Sequence, residues 1–407
     1  MRNSGRCTAT FLFTVVMLAG CYDETDYGDG DTVGPVPEQT PFPRPVLVST
    51  VHKFSAVGAG YHHSCGIEDD GSTWCWGSNE WGQLGSSEAM QRCAGSNLDC
   101  SGTPVRVNGS IRLVTLAGSI RHTCGLDPAG QAWCWGFGLG GQLGDGQRAN
   151  SSQPVMVAGG HRFTRLTGSI SAFVTCGLTA DGSAWCWGPD TDGLLGNGTR
   201  TGSPVPAQVD APAPFISISV GQRHACGVST AQDAYCWGIN WFGQLGVGSA
   251  GGNGGFSLAT TPVSVVDGRK FREIAAGGEH TCALTPAGAA FCWGVAHLTG
   301  NRGADSYMAR PIAVEGARTF VSLSAGFAHT CGRTAGAELY CWGENWGGKL
   351  GNGTTTESIV PVRVDTQARF TDVVAAGTHT CALSTGHDVF CWGANPWGGV
   401  GRLPTDP

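Results

Sequence analysis

The amino-acid sequence predicts an all-β fold assembled from seven copies of one small antiparallel unit. Three observations predict it: a unit that repeats from about residue 45 onward, a pair of cysteines at fixed spacing in every copy, and an unusual composition. The chain of 407 residues contains 66 glycines, and only 14% of its residues are charged. Frequent glycine and scarce Lys and Glu are typical of short strands joined by tight turns, so a helical bundle is not expected.

Each copy contains two recognisable cysteine segments. The first resembles His-Thr-Cys and the second reads aromatic-Cys-Trp-Gly, and successive copies start 49 to 59 residues apart. The first cysteines of the copies are Cys65, Cys124, Cys176, Cys226, Cys282, Cys331 and Cys381. The second cysteine follows ten positions later in every copy, at Cys75, Cys134, Cys186, Cys236, Cys292, Cys341 and Cys391.

The constant spacing predicts a β-hairpin closed by a disulfide. A polar stretch lies midway between the two cysteines, as at Asp69-Asp70-Gly71, and such a stretch between two strand segments indicates a hairpin turn. In a hairpin centred on Asp70, Cys65 lies directly opposite Cys75, within disulfide range. Structural zinc sites use ligand pairs two to four residues apart, a spacing that these cysteines do not have. Neither a metal nor a cofactor is therefore predicted.

Residue alternation along the second strand predicts that the hairpins stack. Trp74 and Trp76 must point to the face opposite Cys75, because successive side chains of a strand alternate between the two faces. Both faces of each sheet then need covering, and neighbouring copies can supply that cover.

The repeat resembles that of the regulator of chromosome condensation family. The resemblance is carried by segments such as Ala276–Leu284 (AGGEHTCAL) and Trp237–Gly246 (WGINWFGQLG), and it extends over residues 45–407. It implies a seven-bladed β-propeller of four-stranded blades. Three departures put local regularity in question: Val174 replaces the repeated histidine, Arg333 replaces an aliphatic residue, and residues 295–300 replace the Gly-Gln-Leu-Gly turn of the fifth copy.

The chain termini predict how the ring closes. Most copies end in a Pro-Val-x-Val segment, as at Pro104–Val107, but the seventh copy has none. The same pattern occurs before the first copy, at Pro45–Val48. We therefore predict that this N-terminal strand completes the last blade and covers its open edge.

The first residues predict export. Residues 1–20 have a basic start and an apolar stretch, Phe11–Ala19, that is too short to span a bilayer and suits a signal peptide. Leu18–Cys21 (LAGC) resembles the lipobox of bacterial lipoproteins, which implies cleavage before Cys21 and lipid attachment to it. The alternative is a plain secretory signal with an incidental Cys21. Residues 21–44 are acidic and rich in proline, and we expect a disordered tether there.

Export also accounts for the cysteines. Of the 18 cysteines, Cys7 leaves with the signal peptide and Cys21 takes the lipid. The remaining sixteen form the seven hairpin pairs and a further pair, Cys93–Cys100, inside an insertion of the first copy. Such cysteine usage is typical of an oxidising compartment. We expect a protein of the bacterial cell envelope, at the outer membrane or cell surface, that touches the membrane only through its lipid.

Charge and motifs restrict the function. The net charge of −7, without a Lys/Arg-rich block, disfavours nucleic acid as a partner. Motifs for phosphate binding, zinc hydrolysis or a nucleophile elbow do not occur, so no catalytic residue is assigned and an enzyme is not expected. The repeated histidines are interpreted as structural, because they recur with the blade: His63, His122, His224, His280, His329 and His379.

Four tryptophans break the repeat and are the candidate partner-binding residues: Trp81, Trp241, Trp346 and Trp397. They follow the Trp-Gly of units one, four, six and seven, so three of them should cluster around a closed ring. The alternative is that they only cap blade edges. The first hypothesis for function is a monomeric, surface-anchored scaffold that binds a protein or glycan. The second is an inhibitor of an extracellular enzyme, because the resemblance includes secreted propellers that inhibit β-lactamases. The third is an enzyme with its active site at the propeller mouth.

Overall fold

The computed structural model describes residues 41–402, apart from residues 89, 94–97, 171, 252–254, 256 and 303–305. The predicted signal peptide, Cys7, Cys21 and most of the predicted tether lie outside the described residues.

The described residues form 29 strands in seven antiparallel sheets, which confirms the predicted seven-bladed propeller. Blades 1 and 2 contain β2 (Ala56–Ala59), β3 (His63–Ile67), β4 (Thr73–Ser78) and β6 (Asp99–Arg106), then β7 (Thr115–Gly118), β8 (His122–Leu126), β9 (Ala132–Gly136) and β10 (Ser151–Met156). Blade 1 carries a fifth, short edge strand, β5 (Gln91–Arg92), in the insertion that Cys93–Cys100 closes.

The other blades have four strands each. Blades 3 and 4 contain β11 (Phe163–Gly168), β12 (Thr175–Thr179), β13 (Ala184–Gly188) and β14 (Ser203–Gln208), then β15 (Phe215–Val220), β16 (His224–Ser229), β17 (Ala234–Ile239) and β18 (Leu258–Ser264). Blades 5 and 6 contain β19 (Glu273–Ala276), β20 (His280–Leu284), β21 (Ala290–Val295) and β22 (Tyr307–Ala313), then β23 (Ser322–Ala325), β24 (His329–Arg333), β25 (Leu339–Gly343) and β26 (Ser358–Arg363). Blade 7 contains β27 (Phe370–Ala375), β28 (His379–Ser384), β29 (Val389–Gly393) and β1 (Phe42–Leu47). Short 3-10 turns that lie wholly within the described residues include Ala296–Leu298 and Trp346–Gly348.

The N-terminal strand closes the ring as predicted. Strand β1 pairs antiparallel with β29, with Val46 opposite Cys391, and the Arg44 guanidinium lies 2.7 Å from the Asp365 carboxylate. The strand begins at Phe42, whereas the sequence placed the start of the propeller at residue 45. Phe42 is buried in the core, and Pro43 is tolerated because an outermost strand leaves N–H positions free.

All eight predicted disulfides are present. Cys65 and Cys75 face each other in the register of β3 and β4, with their Cα atoms 4.0 Å apart. The others join Cys93–Cys100, Cys124–Cys134, Cys176–Cys186, Cys226–Cys236, Cys282–Cys292, Cys331–Cys341 and Cys381–Cys391. Every hairpin is therefore closed covalently at its centre.

Buried tryptophans join each blade to the preceding one. Trp135 is fully buried, and its Nε1 donates a hydrogen bond of 2.9 Å to the carbonyl oxygen of Gln83, in the glycine turn of blade 1. The turn of blade 5 is shorter, and Trp342 Nε1 consequently finds no hydrogen-bond partner among the described residues. The departure at residues 295–300 thus costs one inter-blade hydrogen bond and leaves the fold intact.

The repeated histidines also join neighbouring blades. His63 Nε2 lies 2.7 Å from Thr123 Oγ1 in blade 2. Since that hydroxyl donates its own proton to the Gln83 carbonyl oxygen, His63 Nε2 must be the donor. The equivalent pairs are His122–Thr175, His224–Thr281, His280–Thr330, His329–Thr380 and His379–Ser64. This chain of hydrogen bonds is interrupted between blades 3 and 4, where Val174 and Ala225 occupy the two positions.

Candidate partner-binding face

One side of the propeller carries the loops that break the repeat. Because the strands of a blade alternate in direction, the loop after its first strand and the loop after its third strand lie on the same side of the sheet. We call this side the loop face. Strand β1 also begins there, since Phe42 pairs with Gly393 at the end of β29 that leads into such a loop.

All four candidate tryptophans lie on the loop face, but they form two pairs. Trp346 is 56% exposed and Trp241 is 42% exposed. Each lies four positions after the buried tryptophan of its blade. Trp81 and Trp397 lie five positions after it and are half-buried. The sequence treated the four as equivalent, whereas one residue of offset changes how deeply the ring is packed.

Trp81 begins an aromatic run that crosses three blades. Its ring meets that of Phe137 edge-on, with the two ring centroids 4.9 Å apart. The ring centroids of Phe137 and Phe173 are 5.3 Å apart. The Arg121 guanidinium lies 5.2 Å from the centre of the Trp81 ring. Sequence reasoning missed Phe137 and Phe173, although both stand at repeat positions that carry other residue types in the other copies.

Trp397 belongs to a second aromatic run around the ring closure. Its ring meets that of His62, with the centroids 5.8 Å apart. The His62 and Tyr61 rings are 4.6 Å apart between centroids, and those of Tyr61 and Phe327 of blade 6 are 5.9 Å apart. A Cβ added at Gly377 of blade 7 would lie 2.4 Å from the Tyr61 ring. The glycine therefore leaves space for Tyr61 of blade 1 to reach Phe327 of blade 6 past blade 7. Burial, and secondly the charge of His379, lower the pKa of His62 to about 3, so its ring is neutral at physiological pH. Blades 6, 7 and 1 adjoin as predicted, but the contacts of Trp81 and Trp397 are with these other aromatic residues.

Trp241 carries an arginine from its own blade. The Arg223 guanidinium lies 4.3 Å above its ring and donates hydrogen bonds of 2.7 and 3.0 Å to the carboxylate of Asp192, in the loop of blade 3. Stacking on an aromatic ring and bidentate pairing with a carboxylate are both favourable interactions of a guanidinium, and here they act together. This arrangement shows how the loop face holds a cation.

The loop face of blades 5 and 6 concentrates charge beside Trp346. Glu344 lies 3.3 Å from Lys349 Nζ and 4.0 Å from His297 Nε2. Burial lowers the pKa of Lys349 below its usual range, against the opposing effect of Glu344. Burial, and secondly the negative charge of Glu344, raise the pKa of Glu279. Lys349 stands where three other blades have glutamine, so this sector departs from the repeat in both shape and charge.

The opposite side of the propeller is different, because several of its charges pair between neighbouring blades. Lys53 Nζ lies 2.5 Å from Asp388 of the preceding blade, and Lys270 Nζ lies 2.6 Å from Asp233. These pairs follow the repeat and link the blades. The loop face, which departs from the repeat, is therefore the candidate functional surface.

The described residues also bear on metal binding and on membrane crossing. They contain no cluster of three or more His, Cys, Asp or Glu side chains arranged to hold a metal ion. They also contain no helix of the length and apolar character needed to cross a bilayer.

The fold and this face define a disulfide-closed repeat propeller, and comparison with known proteins gives its family. The model described as "Regulator of chromosome condensation (RCC1) repeat" matches residues 70–126, 181–228, 233–284 and 337–383, which is half of the chain. A second model of the same repeat matches residues 54–83 and 320–345. The chain therefore belongs to the RCC1 repeat family.

Sequence relatives agree with this assignment. The chain is 28% identical to the RCC1 domain-containing protein RUG3, mitochondrial, of Arabidopsis thaliana over 66% of this chain and 60% of that protein. It is 31% identical to the human E3 ubiquitin-protein ligase HERC2 over 49% of this chain and 4% of that protein. These matches thus span less than two thirds of either relative.

Solved structures support the same fold. Human WBSCR16 superposes with a TM-score of 0.73 at 18% identity, covering 86% of this chain and 89% of the other. Yeast RCC1 (Prp20), solved with Kap60, gives 0.69 at 20% identity, covering 83% of this chain and 80% of the other. At these identities the likeness concerns the fold alone.

Proposed function

We propose that this propeller is an exported, non-enzymatic binding protein, held at the bacterial envelope by a lipid on Cys21, and that its loop face engages a protein partner. The observation that carries the proposal is the concentration of repeat-breaking aromatic side chains on one face, with Trp346 and Trp241 well exposed. Exposed tryptophan is a preferred anchor of protein interfaces, and loops on a rigid scaffold commonly carry recognition.

The disulfides support export. Eight disulfides closing hairpins throughout the propeller are typical of proteins that fold outside the cytosol. The LAGC segment ending at Cys21 then supplies the attachment that an exported bacterial protein would use. The proposal therefore has three parts: export, a lipid anchor on Cys21, and a protein, rather than a glycan, as the partner.

The test is capture of the partner from intact cells by the purified propeller, identified by mass spectrometry. The variant Trp81→Ala/Trp346→Ala/Trp397→Ala should lose the captured protein. The control Met156→Ala/Val205→Ala, which removes exposed apolar side chains from outer strands, should retain it. In the same cells, Cys21→Ser should abolish incorporation of a labelled fatty acid. Capture that survives the triple variant would contradict the binding face, and labelling that survives Cys21→Ser would contradict the anchor.

An inhibitor of an extracellular enzyme is the second candidate, and the rigid loop face with exposed tryptophans favours it as well. The two candidates differ in one readout. If the captured protein is an enzyme, the wild-type propeller should inhibit it, and the triple variant should not.

A further inference from the structure

Trp346 differs from the other three tryptophans of the loop face in what covers its ring. Arg121 lies against Trp81, Arg223 lies over Trp241, and His62 contacts Trp397. Each covering residue directly precedes the structural histidine of a blade. No cationic or aromatic side chain among the described residues lies over Trp346, and the residue is 56% exposed.

The reason lies in the residue that precedes the histidine of blade 6. That position is Ala328, as the backbone shows: the N–H of Glu344 donates to the Ala328 carbonyl oxygen at 2.8 Å, just as the N–H of Ile239 donates to Arg223 at 2.7 Å. A methyl group cannot reach the indole. The position that carries Arg223 over Trp241 in blade 4 therefore carries no arginine beside Trp346 in blade 6.

A carboxylate is available in the same loop: Glu344 stands two residues before Trp346, whereas Asp192 reaches Arg223 from the preceding blade. Glu344 is 38% exposed, and its carboxylate lies 3.3 Å from the Lys349 ammonium, which is itself almost fully buried. Glu279 of blade 5 lies close enough for the charge of Glu344 to disfavour its ionisation. The two carboxylates thus repel each other, and an added cation beside Glu344 would relieve that repulsion.

Blade 5 has a shorter turn on this side. Its turn runs from Gly294 to Gly300, two residues shorter than the equivalent turn from Gly343 to Gly351 in blade 6. It forms the short 3-10 turn Ala296–Leu298, in which His297 lies four positions after Trp293 and 4.0 Å from the Glu344 carboxylate. Blade 5 thus presents an imidazole, and not an indole, at this position.

We propose that Trp346 and Glu344 receive an arginine side chain of the protein partner, in the way that Trp241 and Asp192 hold Arg223. The guanidinium would stack on the exposed indole and donate hydrogen bonds to the Glu344 carboxylate. Arginine suits this site better than lysine because its planar fork can stack and pair at the same time. This inference rests on the proposed function, since it names the chemistry of the partner.

The test uses two synthetic peptides as probes, acetyl-Gly-Arg-Gly-Arg-Gly-amide and the same peptide with citrulline in place of arginine. Citrulline keeps the shape of arginine and lacks its charge. Binding to the full chain is followed by the NMR signal of the Trp346 indole N–H, assigned with Trp346→Phe. The arginine peptide should shift this signal and bind at least about fivefold more tightly than the citrulline peptide.

Two variants and two matched controls locate the site. Trp346→Leu and Glu344→Gln should each weaken binding of the arginine peptide about fivefold or more, measured by calorimetry. Leu139→Ala and Glu80→Gln should not weaken it. Leu139 of blade 2 and Glu80 of blade 1 are both exposed and occupy the loop position that Trp346 has in blade 6. The melting temperature of each variant shows whether the fold is retained. Should Glu344→Gln unfold, the Trp346→Leu variant and the citrulline peptide still decide the question.

The outcomes separate this inference from the proposed function. Equal binding of the two peptides, or unchanged binding by Trp346→Leu, would overturn the arginine site. If partner capture still depends on the tryptophans in that case, the proposed function stands with a different chemistry. If the arginine peptide binds as expected but the triple tryptophan variant still captures its partner, the site binds arginine but not that of the captured partner, and the proposed binding face is wrong.

Discussion

Asp190 departs from the repeat by a single residue, and this difference should affect the stability of the protein. In four other blades an asparagine occupies the same loop position: its side-chain oxygen accepts a backbone N–H, and its amide can donate to nearby carbonyls. Asn345, for example, accepts from the N–H of Leu350 at 2.9 Å and donates to the Thr354 carbonyl oxygen at 3.0 Å. Asp190 accepts from Leu194 at 2.6 Å but, when ionised, has no proton to donate. It is 3% exposed, and burial raises its pKa to about 6.

Replacing this aspartate should therefore stabilise the protein. Asp190→Asn is expected to raise the free energy of unfolding by about 1 kcal/mol at pH 7.5, because it removes a buried charge and restores a donor. The gain should shrink below pH 6, since the folded pKa lies above the unfolded one and Asp190 then takes up a proton in the folded state. Denaturant titration of the variant at pH 7.5 and pH 5 measures it. Asp69→Asn, in an exposed hairpin turn, is the control; a gain at pH 5 equal to that at pH 7.5 would contradict the explanation.

Residue-scale packing was also the hardest feature to predict. The sequence identified four tryptophans as a group: Trp81, Trp241, Trp346 and Trp397. It could not show that Arg223 covers Trp241 while nothing equivalent covers Trp346. That difference depends on Asp192, which lies 31 residues before Arg223 and belongs to another blade. Contacts between loops of adjoining blades are not encoded in the spacing of a single repeat.

The strands and hairpins were predicted far better than the side-chain packing, because each blade repeats one local pattern. The hairpin register followed from the position of one turn and is observed at Cys65 and Cys75. The start of β1 was placed too late because its flanking prolines indicate a break in structure. Its outermost position, with Phe42 buried and Arg44 paired to Asp365, overrides that local signal.

Strand β1 should contribute stability out of proportion to its length. Phe42 and Val48 are buried in a cluster that also contains Phe54, Trp76 and Val389, from both sides of the ring closure. Deleting residues 42–48 removes these side chains and exposes the edge of β29, so the loss should be several kcal/mol, with about 1.5–3 kcal/mol for each large apolar side chain.

Calorimetry of the deletion variant measures this loss as a lower melting temperature. Deleting residues 24–30 of the predicted tether, a segment of the same length, provides the control and should leave the melting temperature unchanged. An unchanged melting temperature on removing residues 42–48 would refute the closure of the ring by β1.

At the scale of the whole molecule, the ring of histidines links stability to pH. Burial lowers the pKa of His63, His122, His224 and His280 from 6.5 to about 3, that of His379 to about 4, and that of His329 well below 6.5. Their Nε2 protons are committed to the neighbouring blade, so the folded protein keeps these rings neutral. The unfolded chain protonates them below pH 6.5. Each such histidine therefore lowers stability by about 1.4 kcal/mol per pH unit in acid.

Buried carboxylates act in the opposite direction but are fewer. Burial raises the pKa of Asp190, Glu273, Glu279 and Asp372, so the folded state takes up protons at these groups before the unfolded chain does. Four carboxylates stand against six ring histidines and the equally buried His62. The histidine effect also extends over a wider pH interval, from 6.5 to about 3 or 4. The histidines should therefore dominate, and stability should fall as the pH falls from 7 to 4.5.

The chain itself supplies the variant that tests this explanation. Between blades 3 and 4 the histidine–threonine pair is replaced by Val174 and Ala225, and the propeller closes there without it. His122→Val/Thr175→Ala copies this apolar pair into the preceding junction and removes one buried histidine. Its melting temperature should depend less steeply on pH between 6.5 and 4.5 than that of the wild type, by the contribution of one proton. Equal pH dependence in the two proteins, or a wild-type melting temperature that rises toward acid, would show that the ring histidines do not control acid stability.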